Sequence, residues 1–341
     1  MKVREAIASL LEGRDLSESD AALAVGEVMD GQATPAQIGA LLVLLRRKGE
    51  TVEEITGAAR AMRAKVSPVR GPEATVLDTC GTGGDGSHTF NVSTVAGLVA
   101  AAAGCTVAKH GNRAISGAVG GADVLEHLGV VIDLGPEQSE GMLREVGFGF
   151  LYAPRLHGAM KHAAGPRREL GVRTIFNLLG PLTNPAGARH HLLGVFDAAW
   201  LEPLARVLAR LGSVHALVVH GEDGLDEITT TGATDVAELL GGVVRHFRLT
   251  PEELGLPRCR LSDLQVSSVE DSARIIRRVL AGEAGPARDI VVLNAGAAIY
   301  AADHAPRIAE GVEAARRAID TGRARDLLER VVRASRAGRV A

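Results

Sequence analysis

The sequence predicts an α/β protein: a small all-helical N-terminal domain, then a larger α/β domain with a mostly parallel central sheet and surrounding helices. Three observations carry this expectation. Roughly the first 65 residues repeat apolar side chains at helical spacing. Beyond them, short aliphatic runs alternate with helical segments. Aromatic residues make up only 3% of the chain against 46% hydrophobic residues, so the core must be Ala, Val, Leu and Ile, as in helices packed on buried parallel strands. At 341 residues the chain fits two domains.

In the N-terminal part, Ala21, Val25, Val28 and Met29 form one apolar stripe. Ile38, Leu41, Leu42 and Leu45 form a second, and Ile55, Ala58, Ala59 and Met62 a third. Thr34-Pro35-Ala36-Gln37 reads as a helix start, with a capping threonine, a proline in the first turn and a glutamine placed to reach back. Thr51-Val52-Glu53-Glu54 repeats the box. Ser67-Pro68-Val69-Arg70-Gly71-Pro72 reads as a linker. The helical domain is therefore assigned to 1–70, and the α/β domain to 71–165 and 191–341. A segment near 166–190 is expected to complete the helical domain.

Within the α/β part, strands are expected at 75–78, 106–109, 130–133, 148–152, 192–196 and 216–220. Helices are expected at 93–103, 122–128, 138–146, 201–211, 272–281, 287–301 and 308–321. The stretch 166–185 interrupts the alternation. It carries Arg167, Arg168 and Arg173, then Phe176-Asn177-Leu178-Leu179-Gly180-Pro181-Leu182-Thr183-Asn184-Pro185, and reads as a loop suited to a hinge or a site.

A net charge of −3 gives no bulk attraction to nucleic acid or a membrane surface. Cys80, Cys105 and Cys259 are isolated and in no CxxC pattern, so they read as reduced thiols. The N-terminus mixes charges with apolar residues and lacks the continuous apolar stretch of a signal peptide, so the chain is expected in the cytoplasm. The uncharged run 86–108 contains His88, Asn91, Ser93 and Thr94, and reads as a loop and a buried helix rather than a membrane span.

The densest chemical signal is Asp78-Thr79-Cys80-Gly81-Thr82-Gly83-Gly84-Asp85-Gly86, directly after an expected strand. Glycines let backbone amides approach an anion closely, and a helix starting near Ser93 would point its N-terminus at the same place. Gly81, Gly83 and Gly86 also satisfy GxGxxG. A dinucleotide site would then want an acid ~20 residues on. The next expected strand ends instead in Lys109-His110-Gly111-Asn112-Arg113, which suits phosphates, disfavours NAD and leaves NADP open. Asp85 within a phosphate loop needs a cation between them. Mg²⁺ bridges carboxylates to phosphates, and Gly224-Leu225-Asp226-Glu227 is the best source of further carboxylates. Asn91-Val92-Ser93-Thr94 can cap the helix, bind phosphate or ligate magnesium, and these roles are compatible.

Gly81-Thr82-Gly83-Gly84-Asp85, Asn91-Val92-Ser93-Thr94, Lys109-His110-Gly111-Asn112-Arg113, Gly120-Gly121-Ala122-Asp123, the stretch 173–185, and Gly224-Leu225-Asp226-Glu227 resemble the anthranilate phosphoribosyltransferases in order and spacing. The resemblance runs over nearly the whole chain. It implies transfer of a phosphoribosyl group from phosphoribosyl pyrophosphate to anthranilate in tryptophan biosynthesis. It also implies a site between the two domains, and a homodimer joined through the helical domain. By matching position, Gly81, Thr82, Gly83, Gly84, Asp85, Thr89, Asn91, Ser93, Thr94, Lys109 and Ser116 would hold phosphoribosyl pyrophosphate. Ser93, Asp226 and Glu227 would ligate Mg²⁺, and Lys109, Asp226 and Glu227 would form the catalytic set. Gly81, His110, Asn112, His157, Arg167 and Pro181 would line the anthranilate path, with Arg167 on its carboxylate.

Two departures stand out. Val119 sits where the family commonly has a hydroxyl-bearing or other small residue, and Gly165-Pro166 before Arg167 is unusual. Rival readings are a pyrimidine nucleoside phosphorylase-like enzyme, an NADP-dependent oxidoreductase, and a non-catalytic nucleic-acid-binding relative of the same fold. The stretch 173–185 and the Asp226-Glu227 pair speak against the first. The missing acid weakens the second, and the retained acids, Arg167 and the net charge oppose the third.

Overall fold

The computed structural model describes residues 1–72, 75–113 and 119–337, so Ser116 lies outside the described residues. The N-terminal stripes become four helices: α1 (Val3–Leu11), α2 (Glu18–Met29), α3 (Pro35–Lys48) and α4 (Val52–Arg63). Every stripe residue named above is buried. Both capping boxes form, Thr34 with Gln37 and Thr51 with Glu54. Glu54, fully buried, also accepts hydrogen bonds from Leu16 N–H and Lys48 Nζ, so one cap carboxylate ties three elements together.

The α/β part runs β1 (Val76–Asp78), α5 (Val92–Ala102), β2 (Thr106–Gly111), α6 (Gly121–His127), α7 (Pro136–Glu145) and β3 (Phe148–Tyr152). Helices α8 (Ala153–Leu156), α9 (Lys161–Leu170) and α10 (Phe176–Leu179) follow. Then come β4 (His190–Gly194), α11 (Leu201–Arg210), β5 (His215–Gly221), β6 (Thr234–Leu240) and β7 (Val243–Leu249). The chain closes with α12 (Val269–Leu280), α13 (Pro286–Ala301), α14 (Ile308–Asp320) and α15 (Arg323–Ala337). Among the described residues no helix is long and apolar enough to cross a membrane.

One seven-stranded sheet has the order β3-β2-β1-β4-β5-β6-β7, with the first five strands parallel and the last two antiparallel. The winding reverses between β1 and β4. Loops leaving the carboxyl ends of β1, β2, β4 and β5 therefore meet at one edge, where such sheets bind ligands. Both faces are covered, as the alternation along the strands shows. Leu192, Leu217 and Val219 pack with α5 and α12–α15, while Leu193, Ala216 and Val218 pack with the N-terminal helices and α11. Ala163, Ile175, Phe176, Leu178, Leu179 and Leu182 lie in that second cluster.

The structure corrects two sequence expectations and adds a hairpin outside them. Residues 130–133 form no strand: Val131 N–H donates to Ser335 Oγ of α15, so these aliphatic residues are buried against a helix, outside the ladder. The hairpin β6–β7 is absent from the expected strands, although two strand-like runs flank Gly241-Gly242, both at positive φ as a tight hairpin turn requires. The expected loop at 166–185 is partly helical. Pro166 sits inside α9, a costly position for proline, and it is buried there.

One buried side chain couples this framework to the loop after β5. Asn294 of α13, with no solvent exposure, accepts from Ile228 N–H at 2.9 Å and donates to Ile228 C=O at 2.8 Å. It thereby acts as a one-residue strand partner beside Glu227. Asn294→Ala orphans both backbone groups, each worth about 1–3 kcal/mol, so we expect a loss of about 2–5 kcal/mol in urea unfolding; a loss below about 1 kcal/mol would contradict this role.

Candidate active site

The glycine loop leaves β1 at the switch point. Thr82 N–H donates to Gly194 C=O at the end of β4, and Phe196 N–H returns a bond to Thr82 Oγ1. Gly83 and Gly84 have φ of 65° and 80°, a conformation that side chains disfavour, and this exposes successive amides to the cleft. Arg173 donates to Gly84 C=O and stacks over Phe196, 4.1 Å from the ring centroid. Gly194 is required by contact: a Cβ there would lie 1.5 Å from the Asp226 carbonyl oxygen.

That close approach carries the acids of the β5 loop into the glycine loop. Asp226 Oδ2 accepts from Gly83 N–H at 2.7 Å. Glu227 Oε1 accepts from Ser93 N–H at 3.0 Å, at the positive N-terminus of α5. Burial, then the neighbouring Asp85 charge, pushes the Asp226 carboxyl above the ordinary range. Burial, then Asp226, does the same to Glu227, which Lys109 partly offsets. Asp85 itself accepts from both the N–H and the hydroxyl of Ser87. Lys109, 4% exposed, donates to Thr79 C=O at 2.9 Å and to Ser93 Oγ at 3.1 Å, so β2 delivers one cation to the same place.

The other expected anion-side residues surround this centre. Thr94 is buried in the first turn of α5. Asn91 caps the site through Nδ2 to Val119 C=O at 3.0 Å and accepts from Ser272 Oγ at 2.9 Å. The contact at Val119 thus comes from its backbone, which explains how the unusual side chain is tolerated. Thr89 lies on the far arm of the loop, 3.5 Å from Ser87 Oγ and bridged to Gln265. Oxygen donors crowded until their charged forms are disfavoured make a set that fits a hard divalent cation: Asp226 and Glu227 carboxylates, with the Ser93 hydroxyl adjacent.

Beside it lies a second compartment. His110 Nδ1 faces Gly180 C=O at 2.9 Å, next to buried Pro181. His157 stacks on His110 with ring centroids 4.9 Å apart. Both rings are buried, and among the described residues the Nε2 of each has no hydrogen-bond partner. Burial, then the neighbouring ring, pushes His110 down to about 3, and burial pushes His157 down to about 4. Asn112 is exposed at the mouth, where its Oδ1 accepts from Arg113 N–H. Arg167 stands apart from the acids, on α9, its guanidinium over the Phe176 ring at 5.2 Å and its pKa lowered by burial. Phe176 begins the short helix that ends at Gly180, and so links Arg167 to the histidines.

Sequence reading missed three supports. Arg173 holds the glycine loop, and Asn294 holds Ile228. Asn184 Nδ2 donates to Asp78 Oδ2 at 2.7 Å and to Ala108 C=O at 2.8 Å, while Asp78 Oδ1 accepts from His110 N–H. Burial first pushes Asp78 up to about 6. A polar residue within an apolar helix was the available signal for Asn294, while Arg173 and Asn184 lie in loops without one.

The low histidine values make acid destabilising. An unfolded histidine titrates near 6.5, so the contribution of His157 is complete above that pH and is lost as pH falls toward about 4. His157→Gln should flatten the pH dependence of urea stability near pH 5 by about 1.4 kcal/mol per pH unit relative to the parent. The raised carboxyls act oppositely but cancel in that difference; an unchanged slope would contradict a neutral buried His157.

Comparison with known proteins agrees with this geometry. Residues 4–66 match the helical bundle domain of a glycosyl transferase family and residues 73–325 match its a/b domain. The anthranilate phosphoribosyltransferase of Thioalkalivibrio sulfidiphilus is 55% identical over 97% of this chain and 98% of its own length. That of Alkalilimnicola ehrlichii is 54% identical over 98% and 99%. Among solved structures, the Thermus thermophilus enzyme superposes with a TM-score of 0.92 at 48% identity, covering 97% of this chain and 99% of that one. The Saccharomyces cerevisiae enzyme, in complex with PRPP and Mg, gives 0.90 at 29% identity over 98% of both. With that much identity along almost the full length of each partner, and both domains matched, this chain belongs to the anthranilate phosphoribosyltransferase family.

Proposed function

We propose that this chain transfers the 5-phosphoribosyl group of phosphoribosyl pyrophosphate to the amine of anthranilate, giving N-(5-phosphoribosyl)anthranilate and pyrophosphate, in tryptophan biosynthesis. The observation that carries this reading is the meeting of the Gly83 amide, Lys109 and the Asp226-Glu227 pair at the sheet switch point. A diphosphate seated on the glycine-loop amides takes the place of the Asp226 carboxylate there, and the anionic groups so gathered need cations. Lys109 supplies one positive charge. Asp226, Glu227 and the Ser93 hydroxyl would hold Mg²⁺, and the yeast relative is known in complex with PRPP and Mg. When bound, the ion neutralises charge on the departing pyrophosphate.

The remaining work falls to this chain's residues. The C1–O bond to pyrophosphate breaks, a C1–N bond forms, and the nitrogen loses a proton. The sugar carbon passes through an oxocarbenium-like state, so orientation and charge placement matter most. Lys109 stabilises charge where it grows on the leaving group. Arg167 pairs with the acceptor carboxylate, and this contact can be bidentate. His110 and His157, neutral at physiological pH, offer Nε2 atoms that have no partner among the described residues to a polar edge of the acceptor without adding charge. The aromatic amine already carries a free lone pair, so no general base is assigned.

The reading carries a cytoplasmic location, where Cys80, Cys105 and Cys259 stay as free thiols. It groups the segment near 166–190 with the helical domain, since its apolar residues pack there. It also includes a homodimer through the helical domain, supported by Leu11, Leu23 and Val43, which expose 69%, 54% and 43% of their surface.

Anthranilate fluorescence tests the activity. Emission should fall when protein, phosphoribosyl pyrophosphate and Mg²⁺ are combined, and a flat trace at every protein concentration would overturn the reading. Asp226→Asn with Glu227→Gln should remove the activity or its metal requirement, and Arg167→Ala should mainly raise the KM for anthranilate; unchanged kinetics in both would remove the site assignment. Sedimentation equilibrium should give a dimer that Leu23→Glu weakens, and a monomer in the parent would contradict the assembly.

A further inference from the structure

The opposite edge of the sheet carries a second cluster of ligating side chains. His190 opens β4 and His215 opens β5, and the two are register partners in the parallel ladder. Both imidazoles therefore leave the same face of the sheet. The C-terminal end of α13 lies over them. Asp303, at φ 60°, brings Oδ1 to 2.7 Å from His215 Nδ1 and Oδ2 to 3.7 Å from His190 Nδ1. His190 Nδ1 donates to the Ala301 carbonyl at 2.8 Å, a proton that a bound cation would displace. Ligand atoms of His190, His215 and Asp303 all lie within 4.8 Å of one another.

The surroundings have the form of an outer shell. His215 Nε2 faces Glu238 Oε1 at 3.4 Å, and Tyr300 donates its hydroxyl to that same oxygen at 2.6 Å. A ring nitrogen whose proton goes to a carboxylate leaves the opposite nitrogen free as a more basic ligand. Here that opposite atom is Nδ1, which without an ion donates to the Asp303 carboxylate at 2.7 Å, so a cation binding there would displace that proton. The imidazoles are buried, while the half-exposed Asp303 borders an open cavity of about 460 Å³ that gives an entry path.

We propose that His190 Nδ1, His215 Nδ1 and the Asp303 carboxylate, with the Ala301 carbonyl as a fourth donor, form a binding site for a divalent transition cation of the zinc class. Two imidazoles with one carboxylate suit Zn²⁺, Co²⁺ or Ni²⁺. They suit Mg²⁺ poorly, because it takes oxygen ligands. The site is therefore distinct in chemistry and position from the acids at the other edge. Filling it would fasten the end of α13 to the starts of two central strands.

The test uses the full chain in excess Mg²⁺, which competes at the carboxylate pair but not at imidazoles. Zn²⁺ is titrated by calorimetry and Co²⁺ by visible absorption. The expected result is one tight ion per chain and a Tm that rises with Zn²⁺ concentration. Asp303→Asn, which keeps a residue tolerant of the left-handed backbone, and Glu238→Gln should each weaken Zn²⁺ binding by about tenfold or more while circular dichroism stays that of the parent. No uptake in excess Mg²⁺ would overturn the proposal and leave a hydrogen-bonded cluster only. Uptake of equal strength in both variants would place the ion elsewhere and overturn it equally.

Discussion

Asp226 and Glu227 stand side by side in a cleft with Asp85 close by, and Lys109 partly offsets the charge on Glu227. Burial, and then repulsion from neighbouring negative groups, pushes the Asp226 and Glu227 carboxyls toward their neutral forms. Their partners are the donors that an anionic ligand would use. Asp226 takes the Gly83 amide, and Glu227 takes an amide at the start of α5. The acids thus occupy an anion cradle in which their own charged forms are disfavoured. A diphosphate with a divalent cation resolves both problems: the phosphate accepts the amides and the acids accept the metal.

The rest of the structure keeps those groups at that distance. The winding reversal sets the ends of β1 and β4 side by side, and Thr82 bonds across the gap to Gly194. The bare Cα of Gly194 admits the Asp226 backbone. Asn294 fixes Ile228 from behind, and β2 carries Lys109 in one direction and His110 in the other. Asp78 and Asn184 lock the histidine compartment to the same strands. Charge therefore gathers on one side of β2, and neutral imidazoles line the other. That division suits a reaction joining a highly anionic donor to an aromatic amine.

Much of this was legible in the sequence, for identifiable reasons. The helices of the first 65 or so residues carry their apolar stripes and capping boxes within a few residues of one another, so local pattern suffices. The glycine loop, Lys109 and the Asp226-Glu227 pair were legible because their residue types are awkward anywhere except around phosphate and metal. The segment 130–133 misled because a short aliphatic run, Val130-Val131-Ile132, records burial, and burial against α15 looks the same as burial in a sheet. The hairpin after β5 is marked in the sequence by the Gly241-Gly242 turn signal. Asn294, Asn184 and Arg173 act over long sequence separations, on backbone groups that no local motif specifies. Placing them requires the fold first.

The most direct measurement is a crystal structure of this chain soaked with Mg²⁺ and phosphoribosyl pyrophosphate. The account predicts that the diphosphate accepts the amides of Gly83 and its neighbours, that Asp226 and Glu227 turn from those amides toward a shared cation, and that Lys109 stays within reach of the leaving oxygen. Density for the ligand elsewhere, or a bound diphosphate with Asp226 still on the Gly83 amide and no ion between them, would contradict it.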